Sequence, residues 1–301
     1  MSWILLSVCS AVVLGIYDLL KKTAVRNNAV PPVLFFGVVT GASCWLILRC
    51  ITGLLPDSWQ SALLIDPLTT PEHVLIFAKS VLVSASWICG YFALKHLPIT
   101  LAGPIRSTAP LWTILFAVVF MGETPSGGQW IGISIILVAF YCFSLLGKAE
   151  GIDFRRNRWV ACLIAATLIG ATCALFDKYL LQSLGMRVAT MQFWFSIYLV
   201  VVMLPFVLVW RFGLKDRGTF EWRWMIPAVG IGLLIADAFY FAAIAQEGAL
   251  ISVISPVRRT SVIIGFFGGV WLLKERRNVK WKLISLVLML IGVLFLNWKG
   301  R

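Results

Sequence analysis

Apolar residues run along this chain in blocks of roughly twenty, the length a helix needs to cross a bilayer. Short polar gaps separate the blocks. The pattern predicts ten membrane-spanning helices: 3–20, 32–54, 74–94, 99–121, 128–147, 158–181, 189–212, 225–245, 250–272 and 279–297. The tightest gaps are Lys95-His96-Leu97-Pro98 and Gln246-Glu247-Gly248-Ala249. The longest runs from Leu55 to His73 and carries Asp57, Asp66 and Glu72. No gap has room for a soluble domain, so the chemistry belongs inside the bilayer or at its faces. The first span is expected to be a permanent helix. A cleavable leader places positive charge ahead of its apolar core, whereas Lys21 and Lys22 follow this one.

The pattern is written twice. A shift of 152 positions lays Ala93 on Ala245, Pro104 on Pro256, Arg106 on Arg258, Thr108 on Thr260 and Glu123 on Glu275. Near the start of each half a shift of 159 lays Tyr17-Asp18 on Phe176-Asp177. Each half holds five spans, and an odd number inserts the second half upside down. The expected fold is therefore an all-α membrane protein: ten transmembrane helices in two inverted five-helix repeats, 1–147 and 158–297. Inverted repeats are the architecture of secondary transporters working by alternating access, with the substrate near the midplane.

Pro110-Leu111-Trp112 through Met121-Gly122-Glu123, followed by Trp130-Ile131-Gly132, resembles the EamA-type signature of the drug/metabolite transporter superfamily. The second half departs from it, with Val262 for the proline and Lys274 for the glycine before Glu275. The resemblance extends over the whole chain through its ten spans and its duplication. It implies export or exchange of small metabolites, often amino acids or their derivatives, without ATP. It also implies that spans 1, 3 and 4 and their counterparts 6, 8 and 9 line the cavity. Small multidrug relatives carry a glutamate in the middle of the first span. Here that stretch reads Cys9-Ser10-Ala11-Val12-Val13-Leu14, which sets the chain apart from their proton-coupled drug efflux.

Composition sharpens the class. With 60% hydrophobic and 13% charged residues, the chain is no soluble enzyme, disordered segment or secreted disulfide scaffold. Its net charge of +13 sits in gaps rather than on a soluble face, which argues against a nucleic-acid partner. The gaps after the odd-numbered spans hold most of the Lys and Arg, including Lys21, Lys22, Arg26, Arg155, Arg156, Arg276 and Arg277. The opposite gaps hold only Arg49, Lys178, Arg187, Lys299 and Arg301. Positive residues stay in the cytoplasm, so both termini are expected outside a prokaryotic inner membrane. Seven cysteines without a Cys-x-x-Cys pair, and two histidines, predict no metal and no cofactor. Walker, His-Glu-x-x-His and serine-elbow motifs are missing, so the chain is not read as an enzyme.

Ionisable residues inside spans cost about 2.5–3.5 kcal/mol each on insertion scales and mark cavities or partners. Arg106 shares a helical face with Gly103, Pro110 and Thr113. Arg258 is its repeat mate and the first candidate for substrate contact. Arg259 points about 100° away from Arg258, so one of the two is expected to pair with a carboxylate. In an inverted layout Arg106 and Arg258 belong to opposite halves of the membrane. Lys79 either reaches substrate or snorkels outward. Asp237, near the midplane, is read either as the carrier of a coupling proton or as a fixed partner of Arg258 or Arg259. Asp18 and Asp177, nearer the span ends, are also coupling candidates, the blander reading being ion pairs with Lys21 or Lys22 and with Lys178. Trp87, Tyr91 and Tyr240 are expected to contribute aromatic surface. Glu123 and Glu275 are expected to cap or pair at the ends of spans 4 and 9, and Gly37/Gly41 and Gly265/Gly269 to allow close helix packing.

The reading that follows is a secondary-active transporter, exporter or exchanger, as monomer or homodimer. Three arginines and Lys79 outnumber the deep acid, which favours an amino acid or organic anion as substrate, with a proton as the candidate coupling ion. The rival is proton-coupled efflux of cationic or aromatic compounds.

Overall fold

The computed structural model describes residues 2–112, 126–213, 218–249 and 251–295. Among them every regular element is helical: α1 (Trp3–Val25), α2 (Val30–Ile51), α3 (Asp57–Ala62), α4 (Thr70–His96), α5 (Ile99–Ser107), α6 (Gly127–Ala149), α7 (Arg158–Lys178), α8 (Val188–Leu208), α9 (Met225–Ile244), α10 (Ile251–Arg259), α11 (Ser261–Trp271) and α12 (Val279–Phe295). Helix α2 runs on to Leu54, α7 to Ser183 and α8 to Gly213. Seven of these, α1, α2, α4, α6, α7, α8 and α9, are long and apolar enough to cross a membrane.

The expected fourth and ninth spans are not single helices. Helix α5 stops at Ser107, and α10 stops at Arg259 before α11 resumes at Ser261. The cause is local and the same in both places. Thr108 donates its hydroxyl to the carbonyl of Ile105, and Thr260 to that of Val257, each at 2.7 Å. Such side-chain bonds compete with the helical ladder, and Pro104 inside α5 has no N–H to contribute to it. Tight turns then restart the chain, Leu111 N on Thr108 O and Ile263 N on Thr260 O, both at 2.9 Å. The rest of the expected fourth span, with Thr113 and Met121-Gly122-Glu123, lies outside the described residues. The expected tenth span is described to Phe295 as the 17-residue α12.

Packing is set by where polar and small residues fall. Exposed Ile4, Val8, Val12 and Ile16 make an apolar stripe along α1, while Ser7, Ser10, Asp18 and Lys21 are buried. That is the arrangement a lipid solvent demands. Helix α1 lies on α9 and α4 on α7; α2 contacts both α8 and α9; α6 pairs with α12; and α11 packs on α1 and α5. Serine hydroxyls tie two of these contacts, Ser10 to Ala236 O and Ser86 to Ala166 O, both at 2.8 Å. The closest backbone approach between α2 and α9 is at Gly230, where a Cβ would collide with Gly37 O. In the Gly265/Gly269 pair it is Gly269 that admits a neighbour, with Ile99 Cγ2 2.6 Å from where its Cβ would stand.

Turns at the helix ends are capped from a distance. Lys22 donates to Leu94 O and Leu97 O (2.5 and 2.6 Å), and Gln182 to Ile244 O and Ala249 O (2.8 and 3.1 Å). Glu275 accepts from Ile99 N and Thr100 N at 3.0 and 2.9 Å, capping α5. Its mate Glu123 lies outside the described residues.

Candidate functional site

The first turn after the middle of α1 supplies Tyr17, Asp18 and Lys21. Helix α4 supplies Lys79, Trp87 and Tyr91, and α7 supplies Asp177. The broken helices supply Arg106 from α5 and Arg258 and Arg259 from α10, while Asp237 and Tyr240 come from α9. All of these except Asp18 line one cavity of about 160 Å³. Asp18 stands directly behind it, bonded to Arg106 and Lys21. Residues expected in opposite halves of the membrane, Arg106 and Arg258, thus face the same space.

Buried charges need partners because desolvation is costly; Asp18–Lys21 and Asp237–Arg258 are among the expected pairings, and the others are not. Asp18 holds Lys21 at 2.7 Å and Arg106 at 2.6 Å, so the local i,i+3 pair is joined by a cation from another helix. Asp177 does not turn to the adjacent Lys178. It meets Lys79 at 2.8 Å, and Lys79 is buried to 1% exposure instead of snorkelling. Asp237 takes Arg258 at 2.5 Å, and Arg258 was the expected substrate contact of the arginine pair. Arg259 has neither a hydrogen bond nor an ion-pair partner among the described residues, and its Nε is buried without an acceptor.

In the 152- and 159-residue sequence shifts Arg106 lies on Arg258 and Asp18 on Asp177. Asp18–Arg106 in the first half would be mirrored by Asp177–Arg258 in the second. Lys79 and Asp237 stand where the other half has Ile231 and Ala85. Each takes one member of the mirrored pair, giving Lys79–Asp177 and Asp237–Arg258.

Aromatic rings cover these cations. Lys79 Nζ is 4.0 Å from the Phe195 ring centre and 4.5 Å from that of Phe241. The Arg258 guanidinium lies 3.9 Å over Tyr240, and Lys21 lies 4.5 Å from Tyr17 and 5.3 Å from Tyr91. The hydroxyls of Tyr17 and Tyr91 meet at 3.3 Å. Trp87 lines the wall edge-on to Phe195. Sequence reasoning had no place for Tyr17 or for Lys21 as a wall residue, although Tyr17 adjoins Asp18 in the duplicated segment. Among the described residues no group of His, Cys, Asp and Glu is arranged to hold a metal.

Comparison with known proteins points to a transporter family. The EamA-like transporter family matches residues 1–145. The first 145 residues are thus similar to that family. Over 83% of its length the chain is 21% identical to the pseudopaline exporter CntI of two Pseudomonas aeruginosa strains, covering 81% of that protein. A protein of known crystal structure shares the fold with a TM-score of 0.62 at 15% identity, over 96% of both chains. This chain is therefore a multi-pass membrane protein similar to transporters.

Proposed function

We propose that the chain is a secondary-active transporter that moves a small organic metabolite carrying anionic groups, an organic anion or amino acid, across a prokaryotic inner membrane. The direction is outward, alone or in exchange. One observation carries this reading: five basic side chains (Lys21, Lys79, Arg106, Arg258, Arg259) face or flank a buried cavity against three carboxylates (Asp18, Asp177, Asp237). A net positive, low-dielectric pocket favours negative charge.

Alternating access between two inverted repeats, 1–147 and 158–297, suits the packing. Exchanging the halves converts the α1–α9 contact into α7–α4, and α2–α9 into α8–α4, while α2–α8 and α6–α12 map onto themselves. Broken helices beside the cavity provide the hinges. Asp237 and Arg258 form the contact that a coupling proton would break, since a protonated carboxyl no longer holds the guanidinium as an ion pair.

The cation-efflux rival is disfavoured by the aromatic walls. Of the cavity's rings, Phe195, Phe241, Tyr240, Tyr17 and Tyr91 already carry Lys79, Arg258 or Lys21, and Trp87 carries none of them. The test is export from bacterial cells expressing the chain, with medium and cytosol compared by mass spectrometry. Anionic or zwitterionic metabolites are expected to accumulate in the medium. Export confined to cations would overturn the reading.

A further inference from the structure

The charges around the cavity fall into two groups. In the first, Lys79–Asp177 and Arg258–Asp237 pair one to one, and Asp177 lies within electrostatic reach of both Asp237 and Arg258. This group is neutral. In the second, Lys21 and Arg106 share the single carboxylate of Asp18, and Arg259 has no partner among the described residues. Arg259 is within electrostatic reach of Arg106, Arg258, Tyr240 and Asp18, so the surplus is local rather than spread over the wall. Three cations against one carboxylate leave this end of the cavity with two uncompensated positive charges.

Ordinary structural roles do not absorb Arg259. Its place in the last turn of α10 suits the helix dipole, but partial charges do not neutralise a full guanidinium whose Nε is buried without an acceptor. Snorkelling needs a head group reaching water at the membrane edge, whereas Arg259 lines the internal cavity. Next to it, Arg106 keeps 26% of its side chain exposed, more than Arg258 at 17% or Lys21 at 6%. The Tyr17 and Tyr91 hydroxyls share one hydrogen bond, which leaves one hydroxyl proton free to donate.

We propose that this end of the cavity seats an organic substrate with two anionic groups, such as a dicarboxylate, with Arg259 as its anchor and Arg106 sharing the second group. The proposal rests on the anionic-substrate reading above and gives it a charge number. A dianion brings the group to neutrality, a monoanion leaves one charge unmet, and a cation adds a third. The guanidinium fork of Arg259 also fits a carboxylate with two parallel hydrogen bonds.

Size-matched ligands separate charge from shape. The thermal unfolding midpoint of the purified full chain is titrated with succinate and glutarate, with butyrate and valerate, and with putrescine and cadaverine, against sodium chloride at equal ionic strength. A dicarboxylate is expected to act at concentrations at least tenfold below its matched monocarboxylate. In Arg259→Gln the dicarboxylate weakens at least tenfold, about 1.4 kcal/mol, and its advantage over the matched monocarboxylate shrinks to within threefold. Arg259→Lys keeps the preference at lower affinity, because the charge remains and the fork is lost. Without ligand, Arg259→Gln is expected to unfold at a higher temperature than the parent, since an unmet charge is removed. A lower midpoint would show a structural partner for Arg259 and overturn the anchor. Unchanged dicarboxylate affinity in Arg259→Gln would overturn the anchor and leave the anionic reading standing. Preference for the diamines, or no effect of any acid beyond chloride, would overturn both.

Discussion

Within the cavity the energetics are those of pairs, and removing one partner is worse than removing both. Asp237→Asn leaves Arg258 buried beside a neutral amide, and breaking a buried pair costs about 3–5 kcal/mol. Asp237→Asn is therefore expected to lower the unfolding midpoint in detergent sharply, and the double variant Asp237→Asn/Arg258→Gln to recover most of the loss. Equal, additive losses would show that the 2.5 Å contact stabilises nothing. The same cycle on Lys79→Met and Asp177→Leu is expected to give the same sign. Individual charges were legible in the sequence because a charged residue inside an apolar run is rare and conspicuous. Asp18–Lys21 and Asp237–Arg258 were legible as alternatives, whereas Arg106–Asp18 and Lys79–Asp177 were not. Lys79 and Asp177 are far apart in the chain and meet at 2.8 Å only because α4 packs on α7. The neighbouring Lys178 offered Asp177 a local pairing that the packing does not use.

Among the helices, ends and close approaches decide what can change. Glu275 supplies both acceptors for the exposed N–H groups at the start of α5. Glu275→Gln keeps one acceptor and loses the charge that favours a helix N-terminus. A loss of about 0.5–2 kcal/mol is expected, the usual range for a lost cap, read as a lower thermal midpoint. Gly230→Ala is expected to cost more than Gly41→Ala. The first drives a methyl into the Gly37 carbonyl, while the second leaves Gly230 O at an ordinary 3.8 Å. Inserting a methyl into a packed contact costs about 1–3 kcal/mol, and equal midpoints for the two variants would contradict this packing. The seven long helices were visible as hydrophobic blocks. The breaks at Thr108 and Thr260 were only half visible: the prolines announce a weak ladder, but a threonine hydroxyl turning to its own helix has no signature in hydropathy.

For the whole molecule, the hydrophobic pattern and the duplication specify the class of protein, and the uneven spread of Lys and Arg gives its expected direction in the membrane. Alkaline phosphatase joined after Arg301 is expected to be active, placing the C-terminus outside; an active cytoplasmic reporter there would reverse the orientation and exchange the two ends of the cavity. Substrate charge was suggested by the surplus of basic residues in spans, yet its location needed three-dimensional pairing to show that Arg258 has a carboxylate partner and Arg259 has none among the described residues. Counterflow in proteoliposomes holding only the purified chain tests most directly whether the positive cavity carries an organic anion across a sealed membrane. Vesicles preloaded with an unlabelled acid from the medium of the expressing cells are expected to take up the labelled acid transiently, and vesicles preloaded with a diamine are not. Uptake of labelled diamine with no counterflow of any acid would contradict the account.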